Sequence, residues 1–330
     1  MKAIRLHAIH DLRLDEIAVP EPGPGEIQIR VEAAGLCGTD RHLFHGEFPC
    51  KPPVTLGHEF SGVVTACGPF ADLAIGTRVT CDPNDFCMTC PECLRGRVNL
   101  CERNVASGLG RDGGFAEYAV FPQRKAVVLP ADLNPLFGAF CEPLGCTLHG
   151  IDVAAPKPGE RCIVIGGGVI GQMALQLARL AGAEVMMLTR SPEKQDLAAT
   201  LGATHLAADA QAARKIWPKG ADIVLECAGT GPTVAMAPGL TRTGGRVVIL
   251  GVVPQGEKIE IEPFDLLFRE VSMLSSFLNP FTHARAAQLI ASGTVDIAPL
   301  VSRRVSLSEM AAAIQRPAGA CEIRLIAVPQ

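Results

Sequence analysis

The run Gly166-Gly-Gly168-Val169-Ile170-Gly171 constrains this chain more than any other feature. It follows the apolar segment Arg161-Cys-Ile-Val-Ile165, which has the character of a buried strand. It opens a segment of helical spacing from Ile170 to Ala181, closed by Gly182. A lone G-x-G-x-x-G says little, but between a strand and a helix each glycine has a separate physical task. The first allows a tight turn, the second lets a pyrophosphate approach the backbone, and the third lets helix pack on strand. Free N–H groups and the dipole at the helix N-terminus then favour an anion. The alternative is a plain glycine turn in a doubly wound domain.

The surrounding pattern fits a dinucleotide fold. Glu184 to Leu188 reads as a second strand, and Ser191-Pro192-Glu193-Lys194 opens a second helix with Ser as cap. Asp222 to Glu226 and Gly245 to Leu250 are further strands. Such alternation predicts a parallel sheet with helices on both faces. A carboxylate at the end of the second strand would bind a ribose 2′-OH, but the chain reads Leu188-Thr189-Arg190-Ser191. Thr189 is small and uncharged, and Arg190 can fork onto phosphate oxygens, so NADP is favoured, with NAD possible.

The first third has a different texture. It is rich in Gly and Pro, with short alternating runs such as Glu26-Ile-Gln-Ile-Arg-Val-Glu32, and predicts an irregular β domain. Within it, Cys87, Cys90, Cys93 and Cys101 are spaced C-x2-C-x2-C-x7-C. Thiolates this close can converge on one tetrahedral zinc. Two local disulfides would suit a small secreted domain, a class that 330 residues do not fit. A closed site of this kind shapes a lobe and does no chemistry. The last fifty residues return to mixed texture, with helices over 282–292 and 308–315 and a strand over 322–328.

Composition excludes several classes. Net charge is −4 with dispersed Lys and Arg, so no basic footprint for nucleic acid is present. No apolar run reaches the eighteen or so residues that span a bilayer. Charges interrupt the N-terminal Met-Lys-Ala-Ile-Arg-Leu-His, which does not read as a signal peptide. Thirteen cysteines, an odd number, several in apolar strands, point to a reducing compartment, with the cytoplasm as the default.

A second constellation completes the reading. Cys37-Gly-Thr39-Asp40-Arg-His42, Gly57-His58-Glu59 and Glu142-Pro-Leu144 offer thiolate, imidazole and carboxylate, a set suited to a zinc with one open position. With Gly113-Gly-Phe-Ala-Glu-Tyr118, the four-cysteine loop and the glycine run, these motifs make the whole chain resemble a zinc-dependent medium-chain alcohol dehydrogenase, most closely the sorbitol (polyol) dehydrogenase branch.

The resemblance implies an α/β fold in two parts: a GroES-like Gly/Pro-rich β catalytic domain over 1–149 and 279–330, and a Rossmann doubly wound domain over 150–278. It implies two zinc ions per chain and a homodimer or homotetramer. Cys37 and His58 would bind the catalytic zinc, with both Glu59 and Glu142 carried as further metal-site residues. Asp40 would orient His58 through its second ring nitrogen. Thr39 would relay the substrate proton through the cofactor ribose to His42 and solvent. Phe44, Phe115 and Asn279 occupy pocket-like positions, and Ser276-Phe-Leu-Asn279 carries no Arg-Tyr pair where the polyol branch often has one. The implied reaction is hydride transfer between a secondary alcohol, such as a polyol, and NADP or NAD. A zinc-free quinone or enoyl reductase and a non-enzymatic dinucleotide sensor are the alternatives.

Overall fold

The computed structural model describes residues 1–319 and 321–329. Packing divides the chain into two units. The first holds Met1–Gly145, Pro280–Gly319 and the strand that begins at Arg324; the second is built on Cys146–Asn279. The change of texture near residue 150 falls inside a helix, Cys141–Ala154, whose first turn carries Glu142.

The first unit is organised around the strand Glu26–Gly35. Its alternating apolar residues Ile27, Ile29 and Val31 are fully buried. It lies in a seven-stranded sheet and pairs antiparallel with Glu59–Cys67, Tyr118–Pro122 and Arg324–Ala327. The register decides what meets what. Gly35 stands opposite Glu59 on one side and opposite Ile326 on the other. Ile27, Ile29, Phe60, Val64 and Phe121 fill the core beneath, with the Phe60 and Phe121 rings edge to face at 5.7 Å. The N-terminal residues form a hairpin, Lys2–Ala8 with Asp11–Glu16, which the sequence pattern did not suggest.

The second unit is a six-stranded, wholly parallel sheet. Its strands run in the order His205–Ala207, Glu184–Leu188, Arg161–Ile165, Ala221–Glu226, Thr241–Ile249, Ser272–Ser275. Numbered along the chain this is 3-2-1-4-5-6, the doubly wound order. Strand order reverses beside Arg161–Ile165, and ligands bind at the carboxyl ends of strands at such a switch point. The glycine run leaves the sheet there. No helix among the described residues is long and apolar enough to cross a membrane.

Candidate metal centre and dinucleotide site

Three neighbouring strands deliver the first metal cluster. Cys37 lies two residues beyond Gly35, His58 directly precedes the strand Glu59–Cys67, and Arg324 begins the strand on the far side of Glu26–Gly35. Ligand atoms of Cys37, His58 and Glu59 all lie within 4.8 Å of one another. His58 and Glu59 are 7% and 1% exposed. Glu59 reaches past Gly35 to Arg324, with Oε2 at 3.1 Å from the guanidinium Nη1. Any Cβ on residue 35 would sit 2.5 Å from that oxygen, so only glycine leaves the passage open. The contact is electrostatic: neither Glu59 oxygen has a hydrogen bond among the described residues.

A buried carboxylate with two bare oxygens, beside a thiol and an imidazole, is a donor set that calls for a cation. Charges already point that way. Burial pushes the Cys37 thiol up, but the His58 imidazolium and Arg324 pull harder, and it titrates at about 6. Burial works against the charged form of His58; Asp40 and Cys37 override it and hold the ring well above its ordinary value. Burial drives Glu59 well above the carboxylate range against the pull of Arg324, with Cys37 and Glu142 adding to the rise. These opposed shifts relax together if a divalent ion takes the thiolate, the neutral imidazole and the carboxylate.

The other expected residues fall in different places. Glu142 is buried and acts electrostatically on Glu59, but it is not part of the 4.8 Å cluster. Asp40 sits at the third position of the helix Gly38–His45 and accepts the Cys37 N–H at 2.9 Å. Its other oxygen is 3.6 Å from His58 Nδ1, beyond a hydrogen bond, so the expected orienting bond is replaced by a charge contact. Thr39 Oγ1 is 3.6 Å from Cys37 Sγ. His42 lies one turn on, with Nδ1 at 2.5 Å from Glu47. Phe44 and Phe115 are part of the apolar core at 6% and 0% exposure, and Asn279 is fully buried. The sequence reading missed Gly35 and Arg324. The available signal was a lone cation in the otherwise apolar run Arg324-Leu-Ile-Ala327, every residue of which is buried.

The four-cysteine lobe is local. Ligand atoms of Cys87, Cys90, Cys93 and Cys101 lie within 4.8 Å of one another, and Cys87 and Cys93 sulfurs are 4.0 Å apart. Four thiolates at about 2.3 Å from a tetrahedral zinc would be spaced about 3.8 Å. None of the thirteen cysteines is in a disulfide. Backbone N–H groups of Cys87 and Cys90 donate to Cys101 and Cys87 sulfurs at 3.3 Å. Hydrogen bonds from the Thr89 backbone and hydroxyl and the Cys90 N–H bring Cys87 down to about 5, whereas burial pushes Cys93 up to about 12. Four thiolates cannot share this space without a cation among them. Beyond cysteines the lobe's small core has only Phe86 and Val98, too little to hold it closed unaided.

In the second unit the glycine run has the expected geometry. Gly166 takes a left-handed φ of 104°. A Cβ on Gly171 would lie 1.8 Å from the Gly166 carbonyl oxygen, so helix and strand approach closely only with glycine. A Cβ on Gly168 would meet nothing within 4 Å. That open side adjoins the N-terminus of the helix Val169–Leu180, where Gly168 is the cap and no side chain satisfies the first N–H groups. Val169 and Ile170 form its first turn. At the end of the next strand Thr189 is 9% exposed, with its carbonyl taking a 2.7 Å bond from Gln195. Arg190 is exposed and makes no ion pair among the described residues.

Comparison with known proteins decides the family. Residues 23–131 match the alcohol dehydrogenase GroES-like domain, and residues 169–292 match the zinc-binding dehydrogenase family. D-arabinitol dehydrogenase 1 of Uromyces fabae is 31% identical, over 96% of this chain and 94% of its own. The chain belongs to the zinc-dependent medium-chain alcohol dehydrogenase family, in its polyol dehydrogenase-like branch. Sorbitol dehydrogenase of Halalkalibacterium halodurans is 31% identical over 92% of this chain and 91% of that protein. A structure from Sinorhizobium meliloti 1021, described as a zinc-binding dehydrogenase bound to NADP, is 50% identical, with a TM-score of 0.97 and 99% of both chains covered. As a medium-chain dehydrogenase the protein is an NAD(P)-dependent oxidoreductase acting on alcohols.

Proposed function

We propose that this dehydrogenase oxidises a secondary alcohol of the polyol or sugar-alcohol class to the ketone, reversibly, with NADP as cofactor. The observation that carries the reading is the buried cluster of Cys37, His58 and Glu59, whose carboxylate oxygens have no hydrogen bond. Polyol substrates in the names of its relatives support the substrate class.

The two candidate metal clusters support reading the first unit as the catalytic domain, and the glycine run supports reading the second as the cofactor domain. Cys37, His58 and Glu59 would hold the catalytic zinc, with Glu142 close enough to act on the charge of Glu59. Zinc, when bound, supplies Lewis acidity at the substrate oxygen, and NADP supplies the hydride acceptor. Around them the chain's own groups position and move protons. Arg324 opposes the rise that burial imposes on Glu59 and offers its carboxylate a counter-charge at 3.1 Å. Thr39 takes the substrate proton and passes it toward His42 and solvent. The backbone of Gly166 to Gly171 receives the pyrophosphate, and Thr189 and Arg190 the ribose phosphate. The four-cysteine zinc is structural.

Two coarser expectations extend the reading. An exposed stack of Phe264 and Phe268 with ring centroids 4.1 Å apart, and Leu267 73% exposed, lie on the helix Pro263–Arg269 that precedes the sheet-edge strand Ser272–Ser275. These features support a homodimer or homotetramer. Thirteen cysteines, none in a disulfide, support a cytoplasmic setting.

The test is a screen of polyols and ketoses with NAD(H) and NADP(H) in parallel, with zinc counted per chain. Two zincs, NADP-linked oxidation of a polyol, and no turnover by His58→Ala while it still binds cofactor are expected. One zinc per chain that survives Cys37→Ser would instead favour a zinc-free reductase.

A further inference from the structure

We propose that Glu47 is a positioning residue for the proton relay: it clamps His42 through Nδ1 and so dedicates Nε2 to the proton that leaves the substrate. The proposal rests on the relay role assigned above to Thr39 and His42.

The helix Gly38–His45 ends at Gly46, whose left-handed φ of 74° turns the chain back over the last turn. Glu47 N–H then donates to the His42 carbonyl at 2.8 Å, which fixes the Glu47 backbone against the helix end. Its side chain meets His42 Nδ1 at 2.5 Å. Main chain and side chain of one residue thus grip the same histidine. The Glu47 carboxyl is held below its ordinary range, first by this bond to His42. A carboxylate only accepts, so Nδ1 must carry a hydrogen and Nε2 of the neutral ring is left as the base. No protein group among the described residues bonds Nε2.

Other groups nearby do not substitute for Glu47. His45 lies on the same helix, and His10, from the turn of the N-terminal hairpin, packs its ring on Phe44 and His45. Arg41 is turned to the Arg316 carbonyl, and Asp40 is buried toward His58. Among the described residues Glu47 is therefore the one carboxylate placed on the relay histidine. During alcohol oxidation the hydride leaves carbon for the cofactor and the hydroxyl proton arrives at His42 Nε2. The ring becomes an imidazolium bridged to Glu47, and the same Nε2 proton then passes to water, restoring the starting tautomer.

The experiment compares His42→Asn, Glu47→Gln and Glu47→Asp in the zinc-loaded enzyme, through the pH profile of alcohol oxidation and the ring-nitrogen NMR signals of His42. Glu47→Gln removes a surface charge and should fold. Its acidic limb should separate from the parent's, and the Nδ1–H tautomer should lose its dominance. Glu47→Asp should restore part of both. If His42→Asn abolishes the limb while Glu47→Gln leaves limb and tautomer unmoved, the positioning role is wrong and the relay stands. If His42→Asn leaves the profile unchanged, the relay reading fails and the positioning role falls with it.

Discussion

Glu59 and Arg324 face each other at 3.1 Å across Gly35, from the two strands that flank it, each less than 5% exposed. The pair joins positions 265 residues apart in a single charge balance at the edge of the metal cluster. A buried carboxylate needs a counter-charge, and here it has a fixed one in Arg324 and room for a second at the cluster.

Gly35→Ala tests that arrangement with one methyl group. The added Cβ would displace the Glu59 carboxylate from Arg324 and separate two buried charges. The expected loss is about 3–5 kcal/mol of stability, with weaker zinc retention at the Cys37 cluster. Thermal melts with and without chelator, and zinc per chain, check it. A variant that melts and retains zinc as the parent does would show that the carboxylate has another path.

Arg190→Ala addresses cofactor choice. Loss of a charge-assisted contact to a 2′-phosphate should weaken NADPH about 10–100-fold. NADH affinity should stay within about twofold, because a 2′-OH offers Arg190 no such partner. Titration of cofactor fluorescence with both nucleotides measures this, and equal effects on the two would remove Arg190 from the phosphate site.

Replacing Cys93 separates structure from chemistry. Cys93→Ser should leave one zinc per chain and lower stability by several kcal/mol, on the order of what a structural zinc contributes to a small lobe. The cofactor affinity of the fraction that stays folded should be that of the parent. Retention of both zincs would contradict the four-thiolate site.

His283, which belongs to neither ligand set, predicts a pH dependence of its own. It is 3% exposed, and burial lowers it to about 4. A group whose folded value is depressed contributes stability above its unfolded value, near 6.5, and that stability drains away as pH falls toward 4. The change across this window is about 3 kcal/mol. His283→Phe should flatten the unfolding curve between pH 6.5 and 4. An unchanged slope would mean that the ring finds a way to solvent before it charges.

Legibility in the sequence followed the range of the interactions. The strand–helix alternation behind the parallel sheet, the glycine loop, the Ser191 cap and the four-cysteine lobe show in residues close in the chain, and all could be read. The helix Gly38–His45 and the hairpin at Lys2–Glu16 were hidden, because irregular burial there gives no clean period. Gly35 and Arg324 were hidden for a different reason. Their importance exists only in the register of three strands, and register is set by the whole sheet. Phe44 and Phe115, expected at pocket-like positions, also belong to the core cluster, because aromatic residues beside site motifs can serve core packing as well.

That register also imposes an order on synthesis. The four-cysteine lobe is complete once residue 101 has left the ribosome and can capture its metal early. Cys37, His58 and Glu59 emerge earlier still, yet Glu59 meets its counter-charge only after Arg324 has been made and its strand has docked beside Glu26–Gly35. Until that strand is made and docks, the Cys37 cluster lacks its fixed counter-charge, so the strand Arg324–Ala327 acts as the latch of the charge balance.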